Sequence, residues 1–158
     1  MKYSFLYLFG ILLLIVNSIE KETFDPDTKY FIYNKVTSKC IKREMIISGH
    51  ILVYHIITYG KCTNDENNLW YIKDNKIILA STDDCLAVIN SNNIGVKDCN
   101  KTVLEDIYVQ DFVFENDTIC TRLNNCLKDR RGKVGDKKNK DEYYEWIIST
   151  SLPEETII

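Results

Sequence analysis

The residues whose types could do chemistry are six cysteines, two histidines and a few paired acids. Cys40, Cys62, Cys85, Cys99, Cys120 and Cys126 all lie beyond an apolar N-terminal segment. An even set of cysteines in a secreted chain reads as disulfides. Zinc is the competing use. No Cys-x-x-Cys pair is present, and His50 and His55 stand far in sequence from most cysteines, so no metal site is expected. The two histidines fall on opposite faces of a strand and cannot act as one pair. Asp83–Asp84 and Glu154–Glu155 are adjacent acids. Neighbours on a strand point apart, and in a turn they are solvated, so neither pair suits acid–base work. No Ser, His and Asp arrangement stands out as a triad. The chain is expected to be no enzyme and to carry no cofactor.

Positive charge is concentrated in one stretch. Lys128, Arg130, Arg131, Lys133, Lys137, Lys138 and Lys140 face only two acids, Asp129 and Asp136, in a chain of net charge −3. Unpaired cations are too costly to bury, so an exposed loop or hairpin is expected, with Gly132 and Gly135 supplying turns. Such a cluster attracts polyanions such as sulfated glycans. A lysine-rich solvated loop is the plainer reading. The negative total argues against a nucleic-acid binder.

The elements that must position these residues follow from the rest of the chain. Its 158 residues suggest one domain. Met1–Lys2, the apolar run Phe5–Val16 and the cut after Ser18 match a secretory signal peptide over residues 1–18. The run is shorter than the roughly 18 to 20 apolar residues that span a bilayer. Residues 19–28 read as a polar leader, 29–149 as the folded domain and 150–158 as a tail. The mature chain is expected to be secreted or bound to a cell surface or wall, without stable membrane insertion. Asn100–Thr102 and Asn116–Thr118 are glycosylation sequons and fit that route. From Lys29 onward, short segments rich in Ile, Val and Tyr alternate with Asn, Asp, Gly and Ser. They predict strands near residues 51–57, 69–72, 77–79, 107–109 and 146–148. No long helical period appears.

One unit recurs. Phe31–Tyr33 is a strand, a polar turn follows through Lys39, and Cys40–Ile41 opens the next strand. It returns from Lys76 and from Asp117, so that Cys40, Cys85 and Cys126 share one role. Counting eight residues beyond Cys62 and Cys99 gives Trp70 and Ile107. Trp146 stands eight beyond Lys138, where the third repeat lacks a cysteine. Trp70, Ile107 and Trp146 are therefore expected in equivalent buried places. Three repeats of about 40 residues are too few for a propeller and predict an all-β trefoil.

Tyr30–Asn34 with Thr37–Ile41, and Asn67–Trp70, resemble the opening and closing segments of a repeat in the ricin-B-type lectins, which are β-trefoils. Repeats of that family carry Cys-Leu-Asp-Val, a second cysteine and a closing Gln-x-Trp. The resemblance spans about Lys29 to Ser149 and implies carbohydrate binding. Every repeat departs from the sugar-binding pattern. Lys42, Ala87 and Lys128 replace the aspartate that holds sugar hydroxyls, and Asn68, Glu105 and Tyr144 replace the glutamines. The first repeat is the least altered. Glu44 could supply a carboxylate, Tyr59 an aromatic platform, Asn67 the family's polar ligand, and Asn68 stands for the glutamine. The plainer alternative packs Tyr59 on a strand and leaves Glu44 solvated.

Six cysteines allow about 15 pairings. The two cysteine positions of one repeat select Cys40–Cys62 and Cys85–Cys99. Cys120 and Cys126 remain, with Thr121–Asn125 as a turn between them. The expected function is a secreted binding module that recognises a carbohydrate or another surface or extracellular-matrix component. Its partner would be a glycan, a glycoprotein or a sulfated polysaccharide. The alternatives are a coat or wall protein acting through protein contacts and a trefoil protease inhibitor acting through one loop.

Overall fold

A computed structural model describes residues 22–48, 52–90, 93–100, 109–129, 134–136 and 141–154, with the backbone alone for 45–48, 52–56 and 90. Residues 1–18, expected as a signal peptide, and Ile107 lie outside the described residues. The chain is all β. Its strands are β1 (Phe31–Asn34), β2 (Lys39–Ser48), β3 (Leu52–Lys61), β4 (Trp70–Lys73), β5 (Lys76–Leu79) and β6 (Cys85–Asn90). They continue with β7 (Asn93–Lys97), β8 (Phe112–Glu115), β9 (Thr118–Thr121), β10 (Asn125–Leu127), β11 (Val134–Asp136) and β12 (Trp146–Ser149). Among the described residues the only helical element is a 3-10 turn over Glu142–Tyr144.

The strands form three four-stranded antiparallel sheets, ordered β12-β1-β2-β3, β4-β5-β6-β7 and β11-β10-β9-β8. Each sheet takes its first strand from the end of the preceding repeat, so the sheets interlock the repeats. Alternation drives burial: in β4, Trp70 and Ile72 face the core while Tyr71 and Lys73 do not. Two-residue turns join β4 to β5 and β8 to β9. Asp74–Asn75 and Asn116–Asp117 have φ of 51°, 63°, 48° and 59°. Asn and Asp tolerate that left-handed geometry, which suits the twist of a hairpin. Ser38, Asp83 and Asn124 also have positive φ, each two residues before Cys40, Cys85 or Cys126.

Backbone hydrogen bonds define the equivalent places. The N–H groups of Trp70, Phe112 and Trp146 donate to the carbonyls of Tyr30, Asn75 and Asp117, at 2.9, 2.8 and 2.6 Å. All three aromatic residues open a strand and are buried. The second member of the class is therefore Phe112 and not Ile107. The count from Cys99 fails because five additional residues precede the closing segment of this repeat. The indole N–H of Trp70 donates to Ile41 O at 2.9 Å, and that of Trp146 to Leu127 O at 3.0 Å, one residue past Cys40 and Cys126. A second set of bonds runs from the N–H groups of Arg43, Val88 and Asp129 to the carbonyls of Asn67, Val109 and Tyr143. These two sets show that the three sheets repeat one plan.

The core is one apolar cluster that draws on all three sheets, including Ile32, Ile41, Trp70, Leu79, Leu86, Phe112, Ile119, Leu127 and Trp146. The disulfides are Cys40–Cys62, Cys85–Cys99 and Cys120–Cys126. The leader is not a bare polar run. Asp25 caps a turn by accepting from the Asp27 N–H at 3.0 Å and the Thr28 hydroxyl at 2.9 Å. Phe24 then packs edge-on against Tyr30 and Phe114, with ring centroids 5.8 and 5.0 Å away.

Candidate functional site

The first repeat carries most of the sequence-nominated residues, and the β2–β3 register decides which of them meet. Ile41 pairs with Tyr59, Lys42 with Thr58, Arg43 with Ile57 and Glu44 with Ile56. Directly opposed residues share a face and neighbours along a strand alternate. Ile41, Arg43, Ile57 and Tyr59 therefore lie on one face, and Lys42, Glu44 and Thr58 on the other. The structure does not bring Glu44 and Tyr59 together. Glu44 instead pairs with Lys42 at 2.7 Å.

Tyr59 is half-buried between the first and third repeats. Its ring tilts against Trp146 with centroids 5.2 Å apart. Burial pushes its phenol well above the usual tyrosine range, and the nearby Asp129 charge adds to this, against a backbone hydrogen bond at Lys128. A ring so engaged is part of the core's edge and offers no open platform for a sugar.

Asn67 and Asn68 part company although adjacent. Asn68 is buried and organises its own loop, donating to the Thr63 hydroxyl at 2.8 Å and to Asp65 at 3.0 Å. Asp65 also receives the Asn67 N–H at 2.9 Å and the Thr63 hydroxyl. Its partial burial works to raise its pKa, and these hydrogen bonds outweigh that and leave it below the usual carboxylate range. The loop over 63–68 is thus held rigid, and Asn67 is presented at its exposed rim. The Asn67 carbonyl takes the Arg43 N–H at 2.9 Å. Its side-chain oxygen takes the Ser81 hydroxyl at 3.3 Å. Ser81 comes from the β5–β6 turn, which is tied to the same loop through Ala80 N–H donating to Leu69 O at 3.0 Å.

Arg43 completes this cluster. Its Nη1 reaches the Ser81 hydroxyl at 3.5 Å, and its Nε is sealed from water with no partner. Sequence reasoning missed Arg43 and Ser81. The available signal was an arginine inside a strand, where Val88 stands in the second repeat.

It also missed Gln110, which stands two residues before Phe112 as Asn68 does before Trp70; Glu105, expected at this position, lies outside the described residues. Gln110 is buried. It donates to the carbonyls of Lys97 and Asp98 at 3.4 and 3.1 Å and accepts from Lys76 at 3.3 Å.

Of the basic segment, Lys128 is described. It pairs with Asp141 at 2.9 Å and lies 4.6 Å over the Tyr144 ring. The Asp141 hydrogen bond leads in raising its pKa. Arg130, Arg131, Lys133, Lys137, Lys138 and Lys140 lie outside the described residues. β11, inside this segment, pairs antiparallel with β10, which precedes it.

A cavity of about 410 Å³ opens beside the leader, between Phe24, Ile72, Val113 and Phe114, with Arg122 and Asp74 at its edge. Among the described residues no group of three or more His, Cys, Asp or Glu is placed to hold a metal. Compared with protein-family models and with curated proteins, the sequence finds no match.

Proposed function

We propose that the chain is a secreted, non-enzymatic β-trefoil of the ricin-B type that binds a carbohydrate through its first repeat. Three sheets on one plan, interlocked through shared strands, support the trefoil reading. Three disulfides point to an oxidising, extracellular setting.

The observation that carries the reading is the exposed Asn67 side chain beside Ser81 and Arg43. At the same backbone place the second repeat has Val109 and the third has Tyr143. A few fixed polar groups on a rigid loop suit recognition of hydroxyls. A glycan array with oxidised material tests this. Binding of defined saccharides that falls on Asn67→Ala is the expected result. Binding to a protein partner with no saccharide retained would overturn it.

A second reading, adhesion through protein contacts, draws on the β2–β3 ribbon. Its ten-residue strands are the longest among the described residues, and the outer part reads Met45, Ile46, Ile47 and Leu52, Val53, Tyr54. Shortening that ribbon would abolish a protein contact and spare saccharide binding.

A further inference from the structure

We infer that Arg43 anchors the anionic group of a saccharide, a carboxylate or a sulfate, with Ser81 and Asn67 holding the adjoining sugar. This deepens and rests on the carbohydrate reading. Arg43 carries five donors in a rigid fork. One of them, Nε, is buried and unpaired, and the single bond from Nη1 is 3.5 Å long, at the limit for such a contact.

Among the described residues no carboxylate pairs with it. Glu44 lies on the other face and is taken by Lys42. Asp65 is occupied by Thr63, Asn67 and Asn68. A half-buried guanidinium without a counter-charge destabilises the fold. The fold does not need it there, because Val88 occupies the equivalent position in the second repeat with the same kind of backbone role, its N–H bonding to Val109 O at 2.9 Å.

An external anion supplies what is missing. The Nη edge is the reachable part, since Nε is sealed and the residue as a whole is half-exposed. Carboxylate and sulfate oxygens match the guanidinium fork, and such charge-assisted bonds are about twice as strong as neutral ones. The Ser81 hydroxyl and the exposed Asn67 amide flank that edge and suit neighbouring sugar hydroxyls. The specificity is inverted relative to a site built on an aspartate.

The test uses the full oxidised chain on three immobilised oligosaccharides: one containing glucuronate, its carboxyl-reduced neutral counterpart, and a sulfated form of that counterpart. The wild type should retain an acidic ligand over the neutral one, and which acidic ligand it retains distinguishes carboxylate from sulfate. Arg43→Gln should weaken acidic retention by about tenfold or more. Asn67→Asp keeps the guanidinium but sets a competing carboxylate beside Ser81, and should also weaken acidic retention. It decides the matter if Arg43→Gln fails to fold.

Equal retention of neutral and acidic ligands overturns the inference and leaves the carbohydrate reading intact. So does acidic retention that survives Arg43→Gln and is lost when Arg130, Arg131, Lys137 and Lys138 are all Gln. Retention of no saccharide overturns both.

Discussion

Arg43 and Asp129 stand at the same place in the first and third repeats, three residues past Cys40 and Cys126, and carry opposite charges. In the third repeat the charge is used up inside the molecule. Asp129 is buried and accepts the Thr37 hydroxyl from the β1–β2 turn. Its neighbour Lys128 is held by Asp141 and the Tyr144 ring. In the first repeat the corresponding side chain meets one hydroxyl at 3.5 Å and, among the described residues, no acid. One backbone plan therefore yields a seam where the side chains satisfy each other and a rim where they do not. Recognition is to be sought at the unsatisfied end.

The largest effects should come from what the repeats share. Trp70→Ala, Phe112→Ala and Trp146→Ala should each lower stability by about 3 to 5 kcal/mol in denaturant unfolding. A loss well below that at Phe112 alone would break the three-fold equivalence and reopen the assignment of the second repeat.

A smaller effect should separate the first repeat from the third. Gly60 lies opposite Cys40 and Gly135 opposite Cys126. A Cβ at Gly135 would come 2.1 Å from the Tyr144 hydroxyl, whose ring packs on the Cys120–Cys126 bridge. At Gly60 it would meet the end of the Lys42 side chain at 2.6 Å, which can swing aside. Gly135→Ala should cost about 1 to 3 kcal/mol, by the measure of overpacking. Gly60→Ala should stay within about 0.5 kcal/mol. Equal costs in thermal melts would erase the distinction between seam and rim.

The smallest effect is a pH dependence local to the first repeat. Asp65 has its pKa lowered in the folded state. Its contribution is in place above the unfolded value of about 3.9 and is lost as pH falls from there through the lower folded value. Asp65→Asn should flatten the acid limb of a stability–pH curve. An unchanged limb would show that the loop over 63–68 is held by something else.

Much of the frame was legible in the sequence because it is set by local rules. The disulfide positions and the buried tryptophans follow from spacing and residue type. Phe112 was not legible by counting, since the insertion before it shifts the register while Gln110 and Phe112 keep their mutual spacing. Glu44 and Tyr59 failed on parity, because Tyr59 stands opposite Ile41, an odd number of residues from Glu44, so the two side chains point to opposite faces. Arg43 was hidden for another reason. An unsatisfied donor is a property of three segments meeting, and no single segment announces it.

The pairing of β1 with β12 sets Phe31 opposite Ser149 and Asn34 opposite Trp146, so the first strand of the fold finds its neighbour in the last. During synthesis β1 must wait until nearly the whole domain has left the ribosome. Closure is then a late, long-range event of the kind that slows folding. The same feature makes the fold a natural candidate for circular permutation. The two ends already lie side by side, and a chain joined there and reopened at Asn116–Asp117 would make every contact of the original in a different order of synthesis.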